Sequence, residues 1–133
     1  MVYGPGCKGN FPRLVKLALK LPIFPNIKNE RSMIYIDNLC EAIRLSIDNK
    51  LSGVFCPQNS EYISTVEIVK TVRQAHGKKV RLTKLFNPLI KLMSHFIGTI
   101  NKVFGSKTYS KDLDLEFDYN LVIKKESIIK LAR

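Results

Sequence analysis

Two groups of residues in this 133-residue chain have types and spacing that could do chemistry: glycines placed just ahead of a helix, and a large excess of cations. Gly4, Gly6 and Gly9 satisfy the G-x-G-x-x-G spacing that lets a dinucleotide pyrophosphate approach a helix N-terminus. Their context argues against that use. Only three residues precede Gly4, too few for a buried first strand. Pro5 and Lys8 stand where the turn needs compliant backbone, and the next acid, Glu30, comes before a strand rather than at the end of one. A plainer reading is that Val2-Tyr3-Gly4-Pro5 ends a strand, and Gly6 to Gly9 form a loop into a helix begun by Asn10. A helix N-terminus offers free amides to an anion, and Lys8 and Arg13 lie nearby. His76 and His95 have no Cys, Asp or Glu at ligand spacing, so no metal site is expected. There is no nucleophile elbow and no Walker loop, and no residue is assigned a catalytic role.

The net charge of +11 points the same way. No acidic residue lies between Glu67 and Asp112, while lysines and arginines recur throughout that stretch. Such a bias favours a phosphorylated small molecule, a nucleic acid or an acidic membrane surface. Nucleic acid is disfavoured, because the basic run fits none of the common binding-module patterns. Cys7, Cys40 and Cys56 are odd in number and widely spaced, which reads as reduced thiols of a cytoplasmic protein. The start lacks the basic and apolar regions of a secretion signal, and no apolar run is long enough to span a bilayer.

Four helices are expected to position these groups. The first covers about Phe11 to Leu21, with Asn10 as its cap and Phe11, Leu14, Val15, Ala18 and Leu19 on its apolar face. The second starts from Asp37 and buries Leu39, Ala42, Ile43 and Ile47. The third opens on the Ser64-Thr65-Val66-Glu67 capping box and stops at Gly77. The fourth follows Asn87-Pro88 and reaches Gly105, and Lys124 to Arg133 reads as a further, truncated helix. Strands are expected at Ser32–Ile36, Gly53–Cys56 and Lys79–Leu82, with another strand or arm at Leu113–Phe117. The alternation of strands and helices predicts one mixed α/β or α+β domain over 1–133, with short strands and about four helices.

Val2-Tyr3-Gly4-Pro5, then Gly9-Asn10-Phe11-Pro12, then Arg31-Ser32-Met33-Ile34-Tyr35-Ile36-Asp37-Asn38-Leu39 resemble the successive C-terminal motifs of extended short-chain dehydrogenases. Within that group they are most similar to the NAD-dependent nucleotide-sugar epimerases and dehydratases, the UDP-glucose (UDP-galactose) 4-epimerases above all. The resemblance covers roughly the first 85 residues well and the remainder loosely. It implies a C-terminal, substrate-binding domain that meets a UDP-sugar, with the family's Rossmann half, its glycine-rich NAD loop and its Tyr-x-x-x-Lys pair lying elsewhere.

Carried over residue by residue, the resemblance implies that Asn10 and Phe11 meet the diphosphate at the helix start. It implies that Ile23 and Phe24 lie against the uracil, that Arg31 pairs with a phosphate, and that Tyr3 borders the nicotinamide. A guanidinium fork matches phosphate oxygens in a way that a lysine does not. No Tyr-x-x-x-Lys occurs in the sequence, so the chain by itself is expected neither to bind NAD nor to epimerise a sugar. Exposed apolar surface would favour self-association of a domain parted from its other half. A nucleotide-sugar dehydratase or reductase remains the alternative within the family. Outside it, the fourth helix, amphipathic and set in the basic run, suggests a membrane surface as a further partner.

Overall fold

The computed structural model describes residues 1–85, 87, 88, 90, 92, 98 and 104–132. The chain runs β1 (Val2–Tyr3), α1 (Asn10–Lys20), β2 (Phe24–Pro25), β3 (Ile34–Tyr35), α2 (Ile36–Asp48), α3 (Thr65–Ala75), β4 (Leu82–Thr83), a 3-10 turn (Lys111–Leu113) and α4 (Lys124–Ala132). β1 pairs with β3 and β2 with β4, both in parallel, with Val2 opposite Ile34 and Phe24 opposite Leu82. Parallel neighbours need crossovers, and helices supply them here, as the mixed α/β expectation requires.

α3 is the keystone. The Ser64 hydroxyl accepts from the Glu67 N–H at 3.1 Å, and the Glu67 carboxylate accepts from the Ser64 N–H at 2.7 Å. The expected capping box therefore closes in both directions. The helix stops where Gly77 turns left-handed at φ 63°, a conformation that carries little penalty for glycine. Ile68, Val69 and Val72 are fully buried, and α3 packs against α1 on one side and α4 on the other. The inward face of α1 is Phe11, Leu14 and Ala18, with Val15 and Leu19 half-buried, as its periodicity predicts.

Several expected boundaries shift. The cap of α1 is Gly9 at φ 106°, not Asn10, which is already helical and makes no side-chain cap bond. Only a residue at ease with positive φ turns the chain into the helix there. α2 starts at Ile36 with Tyr35 as its cap, so Asp37 sits in the first turn, where its charge suits the helix dipole. Its buried positions are Asn38 and Ala42. Ile43 and Ile47, expected inside, are 51% and 70% exposed, because the inward face is set by the buried amide of Asn38 rather than by the isoleucines.

The strand expected at Ser32–Ile36 shortens to β3, since α2 takes Ile36, and the one at Lys79–Leu82 moves to β4. Gly53–Cys56 and Leu113–Phe117 are not strands. The first is tied to the second by a single bond, Cys56 N–H to the Leu113 carbonyl at 2.7 Å. Asp114 bends the second segment by accepting from its neighbour's Leu115 N–H and from the Tyr119 hydroxyl. The helix expected after Asn87-Pro88 and His95 lie largely outside the described residues.

A buried polar chain fastens α4 to the core. The Tyr3 hydroxyl pairs with Ser127 Oγ at 2.7 Å and accepts from Asn59 Nδ2 at 3.0 Å. Asn59 Oδ1 accepts from the Tyr35 N–H and from Asn38 Nδ2, both at 3.2 Å. Asn38 in turn bonds the Val122 backbone in both directions at 3.0 Å. Every donor in this chain has an acceptor, as polar groups in a low-dielectric core require.

Candidate site: a cationic cavity at the start of α1

Five separate stretches of sequence meet at one cavity of about 720 Å³, lined by Met1, Asn10, Arg13, Arg31, Ser32, Gly98, Gly105, Ser106, Lys107 and Tyr109. Residues 105–109 form a strap held along 30–32. Lys107 N–H donates to the Glu30 carbonyl and Ser32 N–H to the Lys107 carbonyl, each at 2.9 Å. Tyr109 N–H donates to Ser32 Oγ at 2.8 Å. On its other side Arg31 is fixed by paired backbone bonds with Ile63, at 3.0 and 3.1 Å. These bonds bring the basic strap beside the arginine strand, and the start of α1 closes the cavity.

The cavity is cationic. Arg31 is half-buried, and burial lowers its pKa below the ordinary guanidinium value while leaving it charged. One end of its fork donates to the Gly105 carbonyl at 2.8 Å, which holds the group in place. Arg13 and Lys107 are exposed and complete the set. The amino group of Met1 donates to the Ser32 carbonyl at 2.7 Å; burial lowers its pKa, and the charges of Lys107 and then Arg31 lower it further. No acidic residue is among the described residues lining the cavity. The start of α1 has no acidic side chain and no side-chain cap, so its first amides are not taken up by the helix's own residues. Cations and helix amides converging on one cavity suit a polyanionic ligand of diphosphate size.

A second cavity of about 780 Å³, on the far side of residues 26–30, differs in character. Its Lys124 is matched by Glu61 at 2.7 Å and Glu67 at 3.9 Å, and its lining mixes acids with cations.

The residues singled out from the sequence separate into two groups. Asn10 and Arg31 come together at the cationic cavity. Phe11 follows Asn10, but its side chain is core, 5.2 Å from the Tyr3 ring. Tyr3 has a structural position instead of a free one: it is 1% exposed and its hydroxyl is engaged by Ser127 and Asn59, with burial raising its pKa. Phe24 is equally buried and packs 5.9 Å from Phe104, while Ile23 beside it is 45% exposed; neither is among the described lining residues. Lys8 does not line the cavity either. Lys107, Ser32 and Tyr109 were not legible as site residues. Their membership depends on a pairing across more than 70 residues, and the only local signal was the acid-free run that contains Lys107.

No protein-family model matches the chain. A UDP-glucose 4-epimerase of Vibrio cholerae is 36% identical over 83 residues, which make up 59% of this chain and 25% of that protein. The crystal structure of a UDP-N-acetylglucosamine 4-epimerase from Bacillus cereus superposes with a TM-score of 0.59 at 15% identity, over 98% of this chain and 42% of that one. The chain resembles part of a sugar-nucleotide epimerase. The sequence match carries that likeness and the structural match extends the fold to nearly the whole chain. The chain spans about a quarter of the length of that relative. No described helix is long and apolar enough to cross a membrane, and no group of residues able to hold a metal ion occurs among the described residues.

Proposed function

We propose that this chain is the nucleotide-sugar-binding portion of an NAD-dependent sugar 4-epimerase, and that the cationic cavity receives the diphosphate of a UDP-sugar. The observation that carries this reading is the convergence of Asn10, Arg13, Arg31 and Lys107 on one cavity with no acid among its described lining residues. In the assigned arrangement the Arg31 fork pairs with one phosphate, the amides of Asn10 and Phe11 meet the other, and Arg13 and Lys107 neutralise the remaining charge. The likeness to the Vibrio cholerae epimerase supports the substrate class.

Gly4 is packed against Ile36 and the Tyr3 side chain is 1% exposed, which supports a reading in which neither borders NAD. On this reading the cofactor, and the hydride acceptor it supplies, belong to a Rossmann unit that works with this one. Residues of the present chain bind and orient the nucleotide.

The test is titration of UDP and of uridine into the chain by calorimetry, with Arg31→Ala and Arg31→Lys alongside. Removing a half-buried Arg–phosphate pair should cost roughly 1.5–3 kcal/mol, or about ten- to a hundredfold in UDP affinity. Arg31→Lys should recover only part, since the fork is lost. Uridine, without phosphates, should bind far more weakly than UDP and be indifferent to both substitutions. If UDP and uridine bind alike, or if both variants bind UDP like the wild type, the diphosphate assignment is wrong.

A further inference from the structure

Residues 1–29 and 68–111 contain no aspartate or glutamate, and the fold sets residues 19–26 of the first beside residues 78–85 of the second. α1 and α3 both terminate there. Arg73, at the end of α3, donates to the carbonyls of Leu21, Pro22 and Lys79, and Lys78 Nζ reaches the Leu19 carbonyl at 3.0 Å. Next to them β2 pairs with β4, through Phe24 N–H to the Arg81 carbonyl at 2.9 Å and Asn26 N–H to the Thr83 carbonyl at 2.7 Å. Residues 19–26 and 78–85 therefore make one continuous surface.

That surface has two components. Lys20, Lys79, Arg81 and Lys84 are exposed on it with no acid in either segment to neutralise them. Among them stand large apolar side chains open to solvent: Leu21 at 36%, Ile23 at 45% and Leu85 at 79% exposure. The outer stripe of α1 continues the pattern, with Lys16 and the 38%-exposed Leu17 one turn back from Lys20 and Leu21. Single exposed leucines are ordinary on a soluble protein, but apolar tips set among unneutralised cations are not.

We infer that this end of the domain docks on an anionic membrane surface, its cations meeting the headgroups and Leu21, Ile23 and Leu85 entering the headgroup–acyl boundary. Charge complementarity chooses the occupant. A neutral protein partner would use the leucines but not the cations. A nucleic acid would use the cations but not the leucines, and no exposed aromatic lies in either stretch for bases to stack on. An anionic bilayer uses both components. None of these residues is among the described residues lining the cavity, so the inference stands on its own observations.

Co-sedimentation of the whole chain with vesicles tests it, comparing phosphatidylcholine alone with phosphatidylcholine mixed with phosphatidylglycerol. Partition onto the anionic vesicles should be at least about tenfold stronger and should fall as salt is raised. Lys79→Gln/Arg81→Gln/Lys84→Gln should abolish the preference for anionic lipid. Leu21→Ser/Leu85→Ser should weaken partition on the same vesicles while leaving the melting temperature and any retention of duplex DNA unchanged. Equal partition on the two vesicle types overturns the inference. So does full binding by the leucine variant with duplex DNA competing freely, which would mark the patch as a general polyanion surface.

Discussion

Arg73 is the residue whose replacement should be felt most widely. It is 3% exposed, and its guanidinium donates to the carbonyls of Ala18 at 2.8 Å, Pro22 at 3.3 Å and Lys79 at 3.0 Å, as well as to Leu21. The need is written into α1. The carbonyl of Ala18 would ordinarily be met by the N–H four residues on, but that residue is Pro22, which has none. Arg73→Met keeps most of the side-chain volume and removes every donor. A hydrogen bond from a charged group contributes about 1.5–3 kcal/mol, several acceptors would lose their donor at once, and relief from burying the charge offsets part of the loss. The net cost should be about 2–4 kcal/mol, or a fall in melting temperature of roughly 10 °C for a domain of this size. Arg73→Lys should regain less than half, since a point charge cannot serve carbonyls spread around a planar fork. Thermal and urea melts followed by circular dichroism measure both. A Met variant that melts within about 2 °C of the wild type would show that water can replace the guanidinium and that α1 needs no such cap.

Two further substitutions test the elements that frame the site. A Cβ at Gly4 would lie 2.5 Å from Ile36 Cγ2 and 2.9 Å from Ile36 Cβ, so Gly4→Ala should cost about 1–3 kcal/mol by overpacking, and adding Ile36→Ala should return part of it; urea titration reads both. Ser64→Ala opens the capping box of α3 and should cost about 1 kcal/mol in the same measurement, and an unchanged midpoint would mean that Glu67 alone suffices.

By itself the sequence determined whatever depends on near neighbours. The capping box at Ser64, the stop at Gly77, the inward stripe of α1 and the mixed α/β class were all legible, because propensity and periodicity act within a turn or two of chain. Its motif order also singled out Asn10 and Arg31, which the fold brings to one cavity. The tertiary structure alone decided the face of α2, because a buried Asn38 bonded to residues more than 80 positions away outweighs the apolar period of Ile43 and Ile47. It decided that Tyr3 and Phe24 are core, since their partners Ser127 and Phe104 come from distant segments. It brought Lys107 to Arg31, and it set residues 19–26 beside residues 78–85. These outcomes share a physical reason. Long-range pairing places side chains by bonds between segments that carry no local mark of one another, so only the folded chain reveals them.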